Sequence, residues 1–383
     1  MNRENEPRRT KAARIGGFAN VEAVSVGGDS PVVVQTMWKD RLSLSDLEKT
    51  AERIEALSQM GCGLMRFAVP DLAAAETLGA LARLVSMPLS ADIHFDYKIA
   101  LRCMDFPIAK IRINPGNIGG EDKVKAVLEK AGEKGVPIRI GVNAGSLPLD
   151  LRQKRGGENR ERAGQSLVEA AERELAVFDK FNFKNTVVSM KASDIAETVA
   201  ANRIFARRTD VPLHIGVTEA GPLIAGAVRS SAALATLLAE GIGDTVRVSL
   251  SDSIENEIIA AREICSAAAA LASLAAEGGP QPPHITRLRR NGVTVVSCPR
   301  CGRYGFDTHG FTMRWLSKLY SIEKNLTVAI MGCEVNGPEE ARHADIGITG
   351  SGSKILIFRH GKVVRTVSPE EADGAFAEEL AKW

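Results

Sequence analysis

Between residues 30 and 275 the chain alternates short β-branched apolar runs with longer stretches whose apolar residues recur every three or four positions. That alternation is the signature of βα units around a buried parallel sheet. Eight apolar runs, at residues 32–37, 64–69, 89–93, 109–114, 138–143, 186–190, 213–218 and 245–250, predict eight strands. Amphipathic stretches such as 45–60, 120–134 and 254–276 predict the helices between and after them. Eight repeats with short connections point to a (β/α)8 TIM barrel rather than an open doubly wound sheet.

A Gly- and Pro-rich stretch follows the last helix and cannot continue it, so residues 278–291 read as a linker after a barrel domain of residues 1–277. Residues 292–383 then alternate predicted strands at 293–297, 327–330 and 354–359 with helices near 314–323 and from 369 onward, a small α+β domain. The Gly-rich segment 347–354 lacks the Gly-Lys-Ser/Thr ending of a phosphate loop and reads as a turn. At 383 residues and 44% hydrophobic, the chain can furnish two packed cores, and a net charge of +2 argues against a strongly basic nucleic-acid module. Six cysteines with no dense framework suit a reducing compartment. The polar residues 1–14 carry no signal-peptide pattern, and the apolar run 264–276 is too short to span a bilayer, so a cytoplasmic setting without membrane partners is expected.

In barrels of this kind the chemistry sits where the strands end. Nearly every predicted strand here ends in a polar residue: Arg66; Asp92 and His94; Arg112 and Asn114; Arg139 and Asn143; Lys191; Thr218 and Glu219; Arg247 and Ser249. Alternation along a strand puts the members of each same-strand pair from Asp92/His94, Arg112/Asn114, Arg139/Asn143 and Arg247/Ser249 on one face. A lone arginine at a strand end is usually a surface salt-bridge partner. Four arginines and a lysine converging from five strands would repel one another, and a bound polyanion offsets that cost. A small molecule with about two phosphoryl groups is the expected ligand.

Cys298 and Cys301 form a C-x₂-C pair, and Cys333 follows within Gly332-Cys333-Glu334-Val335-Asn336-Gly337-Pro338. Three soft ligands suit either a zinc site completed by another residue or an iron–sulfur cluster with one weakly held iron, and spacing alone leaves both open. Cys62, Cys103 and Cys265 have apolar neighbours and read as small core residues.

The runs Ala91-Asp92-Ile93-His94-Phe95-Asp96, Arg112-Ile113-Asn114-Pro115-Gly116-Asn117, Arg139-Ile140-Gly141-Val142-Asn143, Thr218-Glu219-Ala220-Gly221 and the two cysteine motifs resemble, in that order, the 4-hydroxy-3-methylbut-2-enyl diphosphate synthases of the methylerythritol phosphate route to isoprenoids. The resemblance covers about residues 20 to 365 and implies the compact two-domain bacterial form. It implies a [4Fe–4S] cluster held by Cys298, Cys301, Cys333 and Glu340. It also implies reductive opening of 2-C-methyl-D-erythritol 2,4-cyclodiphosphate with two electrons from flavodoxin or ferredoxin. Arg66, Asn114, Asn143, Thr218, Ser249, Asn336 and the cationic residues would bind that substrate, with Asp92 and His94 orienting its hydroxyls or pairing with each other. Glu219 would act on the departing hydroxyl, unless it only forms a salt bridge at the mouth. A homodimer is expected, because a chain leaving the last barrel helix starts far from the mouth its second domain must cover.

Two departures stand out. The Thr-Asn-Thr common in the family after the first strand is Trp38-Lys39-Asp40 here, and Glu339 replaces the Gly before the liganding position, which register from Cys333 assigns to Glu340. Two rival readings rest on the residues: a zinc-stapled nucleic-acid-binding domain using Arg287-Leu288-Arg289-Arg290 with His309 or His343 as fourth ligand, and a pterin- or phosphate-sugar-binding barrel enzyme with a structural metal.

Overall fold

The computed structural model describes residues 8–155, 159–276, 279–289, 291–299, 301–333, 338–339 and 341–383. They form two compact units, one ending at residue 289 and one beginning at residue 290.

The first unit opens with a hairpin of β1 (Ala13–Ile15) and β2 (Val24–Val26). Eight parallel strands follow: β3 (Val33–Met37), β4 (Leu64–Ala68), β5 (Leu89–Asp92), β6 (Lys110–Ile113), β7 (Ile138–Asn143), β8 (Thr186–Lys191), β9 (His214–Ile215) and β10 (Thr245–Val246). They pair in the order β8-β7-β6-β5-β4-β3-β10-β9, and a bridge from Val188 to Leu213 joins the two ends, so the TIM barrel expected from the periodicity is present and nearly closed. Helices start cleanly because polar side chains cap them: Asp71, Asp96, Asp194 and Ser253 each accept a backbone N–H from the first turn. Helix Ile254–Ala275 is long and apolar enough to cross a membrane by length and composition alone, but its Ile258, Ala261, Ile264 and Cys265 are buried in the barrel unit.

The hairpin, which the sequence reading omitted, closes the strand-start end. Its Ala13, Ile15 and Val26 pack with Val33, Leu64, Ala109 and Val187 from the beginnings of four strands. The same end is fastened by Asp244, fully buried, which accepts hydrogen bonds from Leu213 N (2.7 Å), Thr10 Oγ1 (3.0 Å) and Arg287 Nη2 (2.6 Å). The segment expected to be a linker therefore contains the short helix Ile285–Leu288, tied to the barrel floor by Arg287 and by Val32 N–H donating to Arg287 O at 2.9 Å. Arg287 is buried there and cannot serve a basic nucleic-acid-binding stretch.

The second unit is a five-stranded sheet in the order β11 (Val293–Ser297), β12 (Leu326–Ile330), β13 (Ile346–Gly350), β14 (Ile355–Arg359) and β15 (Lys362–Val367), parallel across the first three and antiparallel thereafter. Phe311 and Trp315 of helix Thr308–Tyr320 meet Phe376 of helix Ala372–Leu380, with ring centroids 5.3 and 4.9 Å from the Phe376 ring. These aromatics cover Val328, Ile330, Ile346 and Ile348 of the sheet to form the core. The glycine-rich segment read as a turn is in fact strand β13 followed by a turn. A Cβ at Gly347 would lie 2.1 Å from the Phe358 ring, so glycine here serves close packing within a strand.

Candidate functional site

Ordinary TIM barrels fill their interior with branched apolar residues. This one carries charge through its depth. Arg112 and Arg139 are in register on β6 and β7, and Arg112 is in register with Asp92 on β5. Asp92 is buried and accepts from Arg112 Nη1 at 3.0 Å, with Arg66 Nε 3.5 Å from its other oxygen. Burial opposes ionisation of Asp92, but Arg66, Arg112 and Arg139 outweigh it and hold the carboxyl below its ordinary range. His94 stands at the rim, Nε2 2.9 Å from Arg112 Nη1 and Nδ1 3.9 Å from Asp92, so the same-face pairing of Asp92 and His94 joins them around one guanidinium. Burial first, then Arg112 and Arg66, lower the His94 pKa against the pull of Asp92.

Several of the guanidinium N–H groups have no acceptor among the described residues. Arg139 is buried with Nε and Nη1 unbonded, and the Nε atoms of Arg66, Arg112 and Arg247 are also buried without a hydrogen bond. Desolvation and then the neighbouring arginines lower the Arg139 pKa far below normal, and Arg66 is drawn down to about 10 by burial, opposed by Asp92 and assisted by Arg247 and Arg112. Two glycines make the crowding possible. A Cβ on Gly141 would sit 2.5 Å from Arg112 Nε, and one on Gly216 would sit 2.7 Å from Lys191 Nζ. Against Arg66, Lys110, Arg112, Arg139, Lys191 and Arg247 stand the carboxylates of Asp92 and Glu257.

Lys110, His214 and Glu257 were not anticipated from the sequence. Lys110 Nζ donates to Gln35 Oε1 at 2.8 Å, fully enclosed, and burial followed by Arg139 and Arg66 lowers its pKa well below normal. Glu257, from helix Ile254–Ala275, accepts from Thr36 Oγ1 (2.5 Å) and Leu250 N (3.0 Å), with Lys39 Nζ at 3.1 Å and Arg247 Nη2 at 3.6 Å. Its position inside the amphipathic repeat of a long helix masked it, whereas Lys110 and His214 sit at strand starts, where polar residues read as boundaries.

Around the rim, Asn114, Asn143, Thr218 and Ser249 are half-buried and Glu219 is exposed. β9 and β10 stop pairing sooner than the apolar runs predicted. The chain turns out into the loops that carry Thr218, Glu219, Arg247 and Ser249, tied together by Ser251 N–H donating to Gly221 O at 3.0 Å. Glu219 has φ +52°, a left-handed conformation costly for a side chain that is neither Gly nor Asn. No ion pair holds it among the described residues. Of the unexpected first-strand residues, Trp38 is buried and stacks on Phe67 with centroids 5.8 Å apart, while Lys39 is bound to Glu257 and to Leu250 O at 2.9 Å.

In the second unit, Cys298 follows β11 and Cys333 lies just beyond β12, its parallel neighbour, so two distant cysteines emerge at the same C-terminal end of two adjacent strands. Cys298 N–H donates to Ile330 O at 2.9 Å, and a Cβ on Gly332 would lie 3.4 Å from Cys298 Sγ. Tyr304 N–H donates to Cys301 O at 3.1 Å and Gly305 N–H to Gly332 O at 2.8 Å, folding the C-x₂-C loop back over the Cys333 segment. Cys298 also borders a cavity of about 400 Å³ with Thr308, His309 and Thr312. Among the described residues no three His, Cys, Asp or Glu side chains close on one point. Glu340 and Asn336 lie outside the described residues. Soft thiol donors on two adjoining loops at the strand ends of the sheet fit an iron–sulfur group. Cys62, Cys103 and Cys265 are buried in the barrel unit, and burial pushes the Cys103 thiol up to about 12, as befits core residues.

Comparison with known proteins agrees with both halves. The GcpE TIM-barrel domain matches residues 18–262 and the GcpE protein C-terminal domain matches residues 294–382. The chain is 48% identical to the 4-hydroxy-3-methylbut-2-en-1-yl diphosphate synthase (flavodoxin) of Treponema pallidum, across 97% of this chain and 92% of that one. To the synthases of the same name from Treponema denticola and Geobacter sulfurreducens it is 48% and 42% identical, with 98% of this chain covered in each case and 99% and 98% of theirs. The chain belongs to the GcpE family of 4-hydroxy-3-methylbut-2-en-1-yl diphosphate synthases.

Proposed function

We propose that this protein is an iron–sulfur oxidoreductase that opens 2-C-methyl-D-erythritol 2,4-cyclodiphosphate and releases (E)-4-hydroxy-3-methylbut-2-enyl diphosphate and water, taking two electrons from flavodoxin or ferredoxin in the cytoplasm. The observation that carries the reading is the excess of buried guanidinium and ammonium groups in the barrel, several with N–H bonds lacking an acceptor. A diphosphate supplies both the missing charge and the missing acceptors.

Cys298, Cys301, Cys333 and Glu340 would hold a [4Fe–4S] cluster. When bound, such a group supplies electrons singly and a Lewis-acidic iron, its carboxylate ligand being harder and more readily displaced than a thiolate. Arg112, Arg139, Lys191, Arg247 and Ser249, with Arg66, Asn114, Asn143 and Thr218, would grip the cyclic diphosphate. The same groups stabilise the charge left on it when the ring C–O bond breaks. Asp92 keeps Arg66 and Arg112 aimed and, with His94, faces the substrate hydroxyls. Glu219 would orient or protonate the departing hydroxyl, and its left-handed backbone is the kind of strain that recurs at working positions.

The proposed assembly is a head-to-tail homodimer in which each barrel is served by the cluster unit of its partner. Support comes from the exit of the chain at the strand-start end, where Arg287 is bonded to Ser30 O at 2.8 Å. Iron and acid-labile sulfide analysis of anaerobically purified protein tests the cofactor: about four of each per chain is expected. Stoichiometric zinc without sulfide contradicts it and restores the zinc-stapled alternative.

A further inference from the structure

We propose that His214 is a positioning residue for Lys191: a neutral imidazole that fixes the lysine ammonium for anion binding without cancelling its charge. The inference rests on the anion-binding reading of the barrel.

Lys191 Nζ is buried at the end of β8, with Arg139, Arg247, Arg66 and Arg112 as its charged neighbours. Its hydrogen-bond partner is His214 Nε2 at 2.9 Å, and the other ring nitrogen, Nδ1, lies 2.6 Å from Thr245 Oγ1. With Lys191 as the ammonium that anion binding requires, which has only donors, Nε2 is the unprotonated acceptor and Nδ1 carries the ring proton toward the threonine hydroxyl. An imidazolium would present N–H to N–H. Burial first, then Lys191, Arg139, Lys110 and Arg66, hold the His214 pKa well below its ordinary value, which agrees with that assignment.

The choice of partner has a chemical consequence. A carboxylate beside Lys191 would form an ion pair and remove the charge a diphosphate needs. Imidazole accepts one of the three N–H bonds and leaves two for a ligand. Gly216 supports the arrangement from β9's continuation, because a Cβ there would lie 2.7 Å from Nζ and displace it. Burial and then the surrounding arginines already lower the Lys191 pKa well below normal, so an acceptor that stabilises the ammonium governs whether the site is charged at neutral pH.

The test uses anaerobically reconstituted holoenzyme and the affinity for 2-C-methyl-D-erythritol 2,4-cyclodiphosphate by calorimetry from pH 6 to 9. His214→Leu is expected to weaken binding roughly 10- to 100-fold, the range for losing a hydrogen bond to a charged group. The rise in Kd with pH should also move to lower pH, since the unsupported ammonium loses its proton more readily. His214→Gln, which restores an acceptor, should recover much of the affinity, and His214→Leu should add little to Lys191→Met. Wild-type affinity and an unshifted pH profile in both His214 variants, with Lys191→Met impaired, would overturn the proposal and leave the anion site standing. Failure of the parent enzyme to bind would instead remove the anion site itself. If His214→Leu does not fold, ¹⁵N NMR of the parent decides: a neutral ring with its proton on Nδ1 is expected, and an imidazolium at pH 7 contradicts it.

Discussion

Arg112 donates to Asp92 at 3.0 Å across two adjacent strands, and Arg66 approaches the same carboxylate from the other side at 3.5 Å. One buried anion therefore orders two cations that would otherwise repel. Replacing Asp92 by Asn should destabilise the ligand-free protein by about 3–5 kcal/mol, the cost of leaving buried charges uncompensated. Cyclodiphosphate should recover part of the lost melting temperature. The folded pKa of Asp92 is depressed, so its contribution is fully present above the unfolded value of about 3.9 and disappears as pH falls through the folded value. Parent and Asp92→Asn stabilities should then converge only under acid conditions, and convergence near neutrality would contradict the assignment.

Arg112→Ala, Arg139→Ala and Lys191→Ala should each weaken cyclodiphosphate binding, by about 2–5 kcal/mol for a truncated buried charge partner. Iron content should stay at the parent level. Calorimetric affinities equal to the parent in all three variants would remove the anion site.

Glu219 bears a backbone strain that glycine relieves. Glu219→Gly should keep or raise stability, by up to about 1–2 kcal/mol, the cost of the left-handed region for an L-residue. Turnover should be lost while substrate affinity and cluster content remain. An active Glu219→Gly enzyme would return Glu219 to a surface role.

Changing Cys298, Cys301 or Cys333 to Ser should abolish the visible absorption of the cluster. Glu340→Ala should retain a cluster with an altered substrate-free electron paramagnetic resonance spectrum. Full turnover by Glu340→Ala would count against its role as the fourth ligand.

Mixing Glu219→Ala with Cys333→Ser protein should restore partial activity if barrel and cluster are shared between partners. Tagged co-purification establishes that subunits have exchanged. Exchanged heterodimers without recovered turnover, or a fully active monomer, would exclude the shared site.

The barrel was legible because parallel strands buried on both faces leave near-continuous apolar runs, and the arginines and Lys191 showed as polar interruptions of those runs, Arg139 near the start of β7 rather than at its end. Convergence of Cys298 and Cys333 was legible only in part: their motif was plain, but the parallel pairing of β11 with β12 that brings them to the same end of the sheet is a long-range fact. The β1–β2 hairpin escaped because three-residue strands carry too little periodicity. Strand β13 escaped because its glycines serve close packing, Gly347 against the Phe358 ring and Gly350 against Ile355, rather than a turn. Lys39 illustrates a limit of another kind. It stood out in the sequence only as a departure from the family pattern, and its binding to Glu257 and Leu250 O is an interaction between segments far apart in the chain.

Anaerobic turnover measures the central claim most directly. Reconstituted protein given 2-C-methyl-D-erythritol 2,4-cyclodiphosphate and reduced flavodoxin should yield (E)-4-hydroxy-3-methylbut-2-enyl diphosphate, identified by ³¹P and ¹³C NMR, with two electrons consumed per product, slower formation by Arg139→Ala protein and no product from Cys333→Ser protein. Intact cyclodiphosphate after incubation with cluster-replete, reduced enzyme, or equal product from the Cys333→Ser variant, would contradict the account.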